Sequence, residues 1–187
     1  AYHAAAKVAR MTRPGDTCVV IGAGGLGHIG IQVLAAISAV RLIVVDRNPD
    51  AVELAQQIGA DIGIVADGSH VEKVLELTGG HGAEAVLDFV GEGGATAEGT
   101  AMLRRAGSFF VVGYGENINV PTIDVISTEI NYIGNLVGSY NDLGELMDLA
   151  ARGKVKLHTS TYALDDFQQA LDDLDAGGVR GRAILVP

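Results

Sequence analysis

Thr17-Cys18-Val19-Val20-Ile21-Gly22-Ala23-Gly24-Gly25-Leu26-Gly27 runs from an unbroken apolar, β-branched segment straight into the spacing G-x-G-x-x-G. Glycines at the point where a strand turns into a helix have a specific use. Gly22 permits a tight turn, Gly24 lets the backbone approach a pyrophosphate because no Cβ intervenes, and Gly27 allows the helix to sit close against the strand. The N-terminus of that helix then offers unpaired N–H groups and the positive end of its dipole to an anion. With 26 glycines in the chain the spacing by itself is weak. Asp46 strengthens it. This carboxylate closes the next β-branched run nineteen residues after Gly27, where it can accept hydrogen bonds from both hydroxyls of an adenosine ribose and would repel a 2′-phosphate. Together these features predict a dinucleotide site that favours NAD over NADP. Arg47 keeps the alternative open, because its guanidinium is placed either to lie against the adenine or to stabilise a 2′-phosphate.

Outward from this turn, short apolar runs alternate with segments of helical period, the pattern of a parallel sheet covered on both faces by helices. Strands are expected over Thr17–Gly22, Arg41–Asp46, Asp61–Val65, Ala83–Phe89, Ser108–Val112 and a sixth near Ile130–Val137, mostly continuous apolar runs that suit burial on both sides. Leu26, Ile29, Val33, Leu34 and Ile37 fall on one face of the first helix after the turn. Asn48-Pro49 suits an N-cap and first helical residue, Ser69 with Glu72 has capping-box spacing, and Gly79-Gly80 ends that helix. Further helix is expected over Asn141–Arg152, and Thr159–Pro187 reads as strand, helix (Asp165–Asp175) and strand (Arg182–Val186). The fold class is therefore α/β: a doubly wound, six-stranded parallel (Rossmann) sheet over residues 17–153, entered through residues 1–16, with a short strand-helix-strand appendage over 154–187. Gly113–Pro121 is the most loop-like interior stretch.

Composition narrows the function classes. Thirteen basic against twenty-three acidic side chains give a formal charge of −10, which repels a polyanion on average, and no Lys/Arg cluster offers it a landing site. Nucleic acid is not an expected partner. No apolar run approaches the roughly 18 residues that span a bilayer, and Ala1–Arg10 lacks the charged-then-apolar order of a secretion signal, so no membrane partner is expected either. Cys18, the single cysteine, stands in a buried-strand pattern; alone it builds neither a disulfide framework nor a Cys-rich zinc site, and it fits a reducing, cytoplasmic setting. His3, His28, His70, His81 and His158 are scattered without metal-ligand spacing and read as surface or loop residues. His28, on the first turn of the cofactor helix, reads as packing. Asp165-Asp166 and Asp172-Asp173 are adjacent pairs that do not converge on a helix and read as a solvated face.

Several segments fall in the order found in one family. Gly22-Ala23-Gly24-Gly25-Leu26-Gly27-His28-Ile29-Gly30, Ala60-Asp61, Gly79-Gly80-His81-Gly82-Ala83, Asp88-Phe89-Val90-Gly91, Val111-Val112-Gly113 and Gly181-Arg182-Ala183-Ile184-Leu185-Val186-Pro187 make the chain resemble the cofactor domain of the zinc-dependent, medium-chain alcohol dehydrogenases. Ala1-Tyr2-His3-Ala4 resembles the hinge helix entering that domain, and Arg13-Pro14-Gly15-Asp16 the turn before its first strand. The resemblance implies that Gly24, Gly25 and Leu26 line the pyrophosphate, that Asp46 holds the ribose, and that Phe89 and Val90 border the adenosine and nicotinamide-ribose side. It also implies that Val112, Gly113 and Tyr114, with Asn135, Leu136 and Val137, flank the nicotinamide ring. Arg182 matches a family arginine on the pyrophosphate, a role that bidentate guanidinium–phosphate pairing suits; Arg180 is the competing candidate.

The function implied is hydride transfer between NAD(H) and an alcohol or ketone, with substrate oxygen polarised by zinc held in a preceding catalytic domain. No zinc ligands of that set occur in this chain, so it is expected to bind NAD and to turn over no alcohol alone. Two other readings keep the same turn: a zinc-free quinone or enoyl reductase, against which the Gly-Ala-Gly-Gly-Leu-Gly form argues, and a non-catalytic NAD-sensing module. The resemblance further implies a homodimer joined edge to edge through the sixth strand, Ile130–Val137, and exposed apolar surface near His3 and Thr159–Ala163 where the catalytic domain would pack.

Overall fold

The computed structural model describes residues 1–187. Helix α1 (Tyr2–Met11) leads into β1 (Thr17–Ile21), α2 (Gly27–Ile37), β2 (Arg41–Asp46), α3 (Pro49–Gln57), β3 (Ile62–Val65), α4 (His70–Leu77), β4 (Ala83–Asp88), α5 (Ala95–Ala101) and β5 (Leu103–Val111). The chain continues through α6 (Thr122–Thr128), β6 (Asn131–Gly134), α7 (Tyr140–Ala151), β7 (Thr159–Ala163), α8 (Phe167–Asp175) and β8 (Arg182–Val186). The first six strands form one parallel sheet in the order β3-β2-β1-β4-β5-β6. This is the doubly wound arrangement expected, and β1 and β4 flank the point where the winding reverses; ligands of such sheets bind outside the carboxyl ends of the strands at that point. Strands β7 and β8 pair in parallel as a separate two-stranded sheet.

Both faces of the sheet are dry along β1, β2 and β4, which is why these strands read as continuous apolar runs. Along β1, Cys18 and Val20 join Ala5, Val8, Ile31, Leu34, Leu42 and Phe110 in one cluster, whereas Val19 and Ile21 join Ile43, Val45, Val74, Val86, Met102 and Phe109 in the other. The alternation is the two-residue period of a strand. Glycine-rich α2 packs against α1 and lies close on the sheet. The C-terminal segment is tied back by reciprocal bonds between the Gln32 side chain and Lys156: Nε2 donates to the Lys156 carbonyl at 2.9 Å, and the Lys156 amide donates to Oε1 at 2.8 Å.

Several boundaries differ from the sequence-based expectation. Strand β5 begins at Leu103 rather than Ser108, because a register shift opposite Ala83/Ala85 and a left-handed Ala106 (φ 57°) carry the pairing through the polar stretch Arg104–Gly107. Strand β6 stops at Gly134 instead of reaching Val137, which itself has φ 45°, a conformation no strand contains. The Ser69–Glu72 capping box does not form: the Ser69 hydroxyl donates to Asp67 Oδ1 at 2.7 Å and leaves the helix uncapped by its side chain. A reciprocal box forms instead at Ser139 and Asp142, ahead of α7. Asn48 caps α3 as expected, accepting from the Asp50 amide at 2.9 Å. Of the expected helix Asp165–Asp175, the first two residues belong to a 3-10 turn, Leu164–Asp166, and α8 begins at Phe167. Helix α6, with no buried residue, has no apolar stripe by which to anticipate it.

Candidate functional site

The carboxyl ends of β1, β2 and β4 open on a cleft of about 380 Å³ lined by Gly22, Gly24, Gly25, Leu26, Gly27, Asp46, Phe89, Val90 and Arg182. All nine are among the residues predicted from sequence. Gly22 adopts φ 90° and donates its amide to the Val45 carbonyl at 2.9 Å, so the chain reverses while staying registered to the sheet. Gly27 is required by contact rather than by φ: a Cβ there would overlap the Gly22 carbonyl oxygen. Gly24 is the opposite case, because a Cβ would meet nothing within 4 Å. Its free side leaves room for a group to come close to the backbone.

Arg182 completes this wall from the far end of the sequence. Its Nη2 donates to the Gly25 carbonyl at 3.3 Å, and a Cβ on Gly25 would lie 3.0 Å from its Cζ. Between the two candidate arginines, Arg182 is the one whose guanidinium rests on the glycine turn. The Asp46 carboxylate is pinned at the end of β2, Oδ2 accepting from the Ala23 amide at 2.7 Å and Oδ1 from the Asn48 amide at 2.8 Å. Each oxygen keeps further acceptor capacity, so Asp46 is oriented by the backbone and still able to receive ribose hydroxyls. Arg47 Nη2 donates to the Gly93 carbonyl at 2.8 Å and bridges the ends of β2 and β4.

Two histidines correct the expectation of surface placement. His28 is fully buried, its Nδ1 3.0 Å from the Gly24 carbonyl, its ring edge-on to His158 at 6.0 Å. Burial holds its pKa below the ordinary histidine value, with the nearby His158 and Arg182 acting in the same direction and the Gly24 bond against it. A neutral ring donating from Nδ1 locks the turn in place, so the packing role holds. His70, the first residue of α4, is also buried, because α5 lies across it; nothing in its sequence neighbourhood signals that. His3 reaches Asp142 Oδ2 at 3.1 Å from α1.

The remaining predicted residues lie along the ends of β5 and β6. The Val112 and Gly113 amides both donate to the Asp88 carbonyl at 3.0 Å, which sets that loop against Val90 and Gly91. Asn135 Nδ2 donates to the Val111 and Ile133 carbonyls at 3.2 and 2.9 Å and clamps the two strand ends together. Tyr114, Leu136 and Val137 stand open, at 92%, 85% and 84% exposure. The structure does not bring them into contact with the glycine turn's lining set.

Sequence reasoning did not single out Asp88 and Glu116 for their chemistry, yet they shape the β4–α5 loop. Glu116 accepts from the Gly94 and Thr96 amides at 3.0 and 2.7 Å, bonds that hold its pKa below the usual carboxylate value. Asp88 is fully buried; Oδ1 accepts from the Val90 and Gly91 amides at 2.8 and 3.0 Å while Oδ2 has no partner. Desolvation raises its pKa, those two amides oppose the rise and Glu116 adds to it. A carboxyl whose folded pKa exceeds its unfolded value lends stability that is complete below the unfolded pKa and is lost as pH climbs through the folded one. Asp88→Asn should therefore remove a loss of stability that the native chain shows on going from acid to neutral pH. Asp88→Ala should cost roughly 1–3 kcal/mol in acid by orphaning two buried amides, and less at neutral pH, where ionisation of the buried carboxyl has already weakened the native chain. Urea midpoints at a series of pH values check both; a parallel pH dependence for native chain and Asp88→Asn would refute the assignment.

No group of three or more His, Cys, Asp or Glu side chains is arranged to hold a metal ion. Cys18 is buried in β1, its thiol pushed up to about 12 by desolvation, and it is inert as a nucleophile or ligand. No helix is long and apolar enough to cross a membrane.

A cleft at the switch point of a 3-2-1-4-5-6 sheet, walled by a glycine turn, a strand-end carboxylate and a guanidinium, defines a dinucleotide-binding domain. The chain belongs to the zinc-binding dehydrogenases, whose family model matches residues 25–152. It is 36% identical over 178 residues to a protein named NAD-dependent alcohol dehydrogenase from Sulfurisphaera tokodaii, covering 93% of this chain and 51% of that one. A D-arabinose 1-dehydrogenase (NADP(+)) from Saccharolobus solfataricus is 30% identical over 172 residues, 90% of this chain and 49% of that one. The crystal structure of the alcohol dehydrogenase from Aeropyrum pernix superposes with a TM-score of 0.96 at 39% identity, over all of this chain and 54% of that chain. The chain thus spans about half the length of the curated relatives it matches.

Proposed function

We propose that this chain holds the dinucleotide of an NAD-dependent alcohol or ketone oxidoreductase. The observation that carries the reading is the union of Gly24, Gly25, Arg182 and Asp46 on one cleft, drawn from three separate parts of the fold: the glycine turn, the end of β2 and the start of β8. Gly24 leaves room for the pyrophosphate, the start of α2 and the Arg182 guanidinium face its charge, and Asp46 receives the adenosine ribose. Phe89 and Val90 border the path toward the nicotinamide, which Val112, Gly113, Tyr114, Asn135, Leu136 and Val137 flank. Hydride transfer is the chemistry NAD supplies when bound; the chain's own residues fix the position and face of the ring, the proximity part of the rate. Zinc chemistry is not assigned to these residues, since none of them form a metal site.

NAD is favoured over NADP because Asp46 places a carboxylate where a 2′-phosphate would sit, and relatives named for NAD dependence support that choice. The alcohol or ketone belongs to the whole enzyme rather than to this cleft. Fluorescence titration with NADH tests the reading: saturable binding by the chain, with no NADH produced from NAD and alcohols, is the expected result. Absence of NADH binding contradicts the cofactor role, and alcohol oxidation by the chain alone contradicts the division of labour.

Self-association through β6 belongs to the same proposal. β6 is an edge of the sheet, and exposed Ile123 and Ile126 lie on α6 just before it. A free edge invites pairing with a second copy about a two-fold axis. Light scattering should report a dimer, and a monomer at high concentration would refute it. A reducing, cytoplasmic location accords with the buried free thiol of Cys18.

A further inference from the structure

A second cleft, of about 230 Å³, opens beside the glycine turn and shares Gly22, Asp46 and Val90 with the first. Val45 and Ala66 line it from the ends of β2 and β3, Ala95 and Met102 from α5 and its C-terminus, and Arg47 reaches over it to Gly93. Asp46 stands at the junction of the two clefts. On the dinucleotide reading, a ribose held there has the second cleft within reach of its base.

Two ionisable side chains on this cleft have no part in the site described above. His70 is 3% exposed, and neither ring nitrogen has a hydrogen-bond partner of proper geometry. Its Nε2 lies 3.1 Å from Glu98 Oε2, a charge-pair distance without hydrogen-bond alignment. Glu98 is on α5, and its side chain is 41% exposed. A buried polar ring without partners is costly unless a neighbour compensates; the Glu98 carboxylate is the neighbour within reach, and the imidazole in turn restrains it. An ionised carboxylate only accepts hydrogen bonds. At the six-position adenine offers an N–H donor, whereas guanine offers an oxygen acceptor, as does hypoxanthine.

We propose that Glu98, positioned by His70, accepts a hydrogen bond from the exocyclic amino group of adenine and makes the site reject dinucleotides that carry a 6-oxopurine. The proposal rests on reading the glycine turn as a dinucleotide site. Glu98 is the contacting residue and His70 a positioning residue. Glu92, a second carboxylate lining the cleft, is exposed and has no buried partner, so it serves as the control.

Calorimetric titration of the chain with NAD and with nicotinamide hypoxanthine dinucleotide tests this. The native chain should bind NAD about tenfold more tightly, the scale of one hydrogen bond to a charged group. Glu98→Ala should bring the ratio close to one by weakening NAD, His70→Phe should lower it while conserving bulk, and Glu92→Ala should leave it unchanged. Should His70→Phe fail to fold, Glu98→Ala decides alone, because its side chain is partly exposed. Equal binding of both dinucleotides by the native chain, or equal weakening of both by Glu98→Ala, overturns the inference and leaves the cofactor reading intact. No binding of either dinucleotide overturns both.

Discussion

Asp46→Ala should weaken NAD binding at least roughly a hundredfold and abolish the preference over NADP. Two ribose hydroxyls donate to a charged acceptor, and hydrogen bonds of that kind contribute about 1.5–3 kcal/mol each. The substitution also deprives the Ala23 and Asn48 amides of their acceptor, so part of the loss comes from a looser glycine turn. Comparing the two cofactors separates these effects. Loosening the turn weakens NAD and NADP alike, whereas removing the carboxylate relieves repulsion of the 2′-phosphate and leaves Arg47 free to attract it. Calorimetry should therefore show NAD losing more than NADP. Unchanged NAD affinity, or parallel loss of both cofactors, would contradict the ribose role.

Gly24→Val and Gly27→Val should fail in opposite ways. At Gly24 a Cβ meets nothing within 4 Å, so the valine fits the fold; it fills the space assigned to the pyrophosphate and should abolish detectable NAD binding while unfolding stability stays within about 0.5 kcal/mol, as for surface substitutions generally. At Gly27 the Cβ collides with the Gly22 carbonyl, and α2 must shift off β1. Forced overpacking of this kind costs about 1–3 kcal/mol, and cofactor binding falls with it. Chemical denaturation and NAD titration of the two variants check the contrast. Equal destabilisation, or NAD binding by Gly24→Val, would mean that the open face of Gly24 is not where phosphate approaches.

The glycine turn, Asp46 and the central strands were legible because each depends on local constraints: φ at Gly22, close approach at Gly27, and β-branched runs dry on both faces. Arg182 was legible only through the family pattern, since 157 residues separate it from Gly25. What stayed hidden arises from packing between distant elements or from backbone irregularity. His70 meets Glu98 because α4 and α5 lie side by side on one face of the sheet. The start of β5 was obscured by the left-handed Ala106, and the end of β6 by Val137, a β-branched residue in a conformation that disfavours it. At Ser69 the spacing was right for a cap, but Asp67 two residues upstream took the hydroxyl.

The most direct test of the cofactor site is to follow the backbone amide resonances of the isotope-labelled chain as NAD is added. The structure predicts saturable shifts concentrated at Gly22, Gly24, Gly25, Leu26 and Asp46, extending to Phe89 and Val90, with the Arg182 side chain responding in parallel. Absence of shifts at saturating NAD, or shifts centred away from the glycine turn, would contradict the assignment of this cleft as a dinucleotide site.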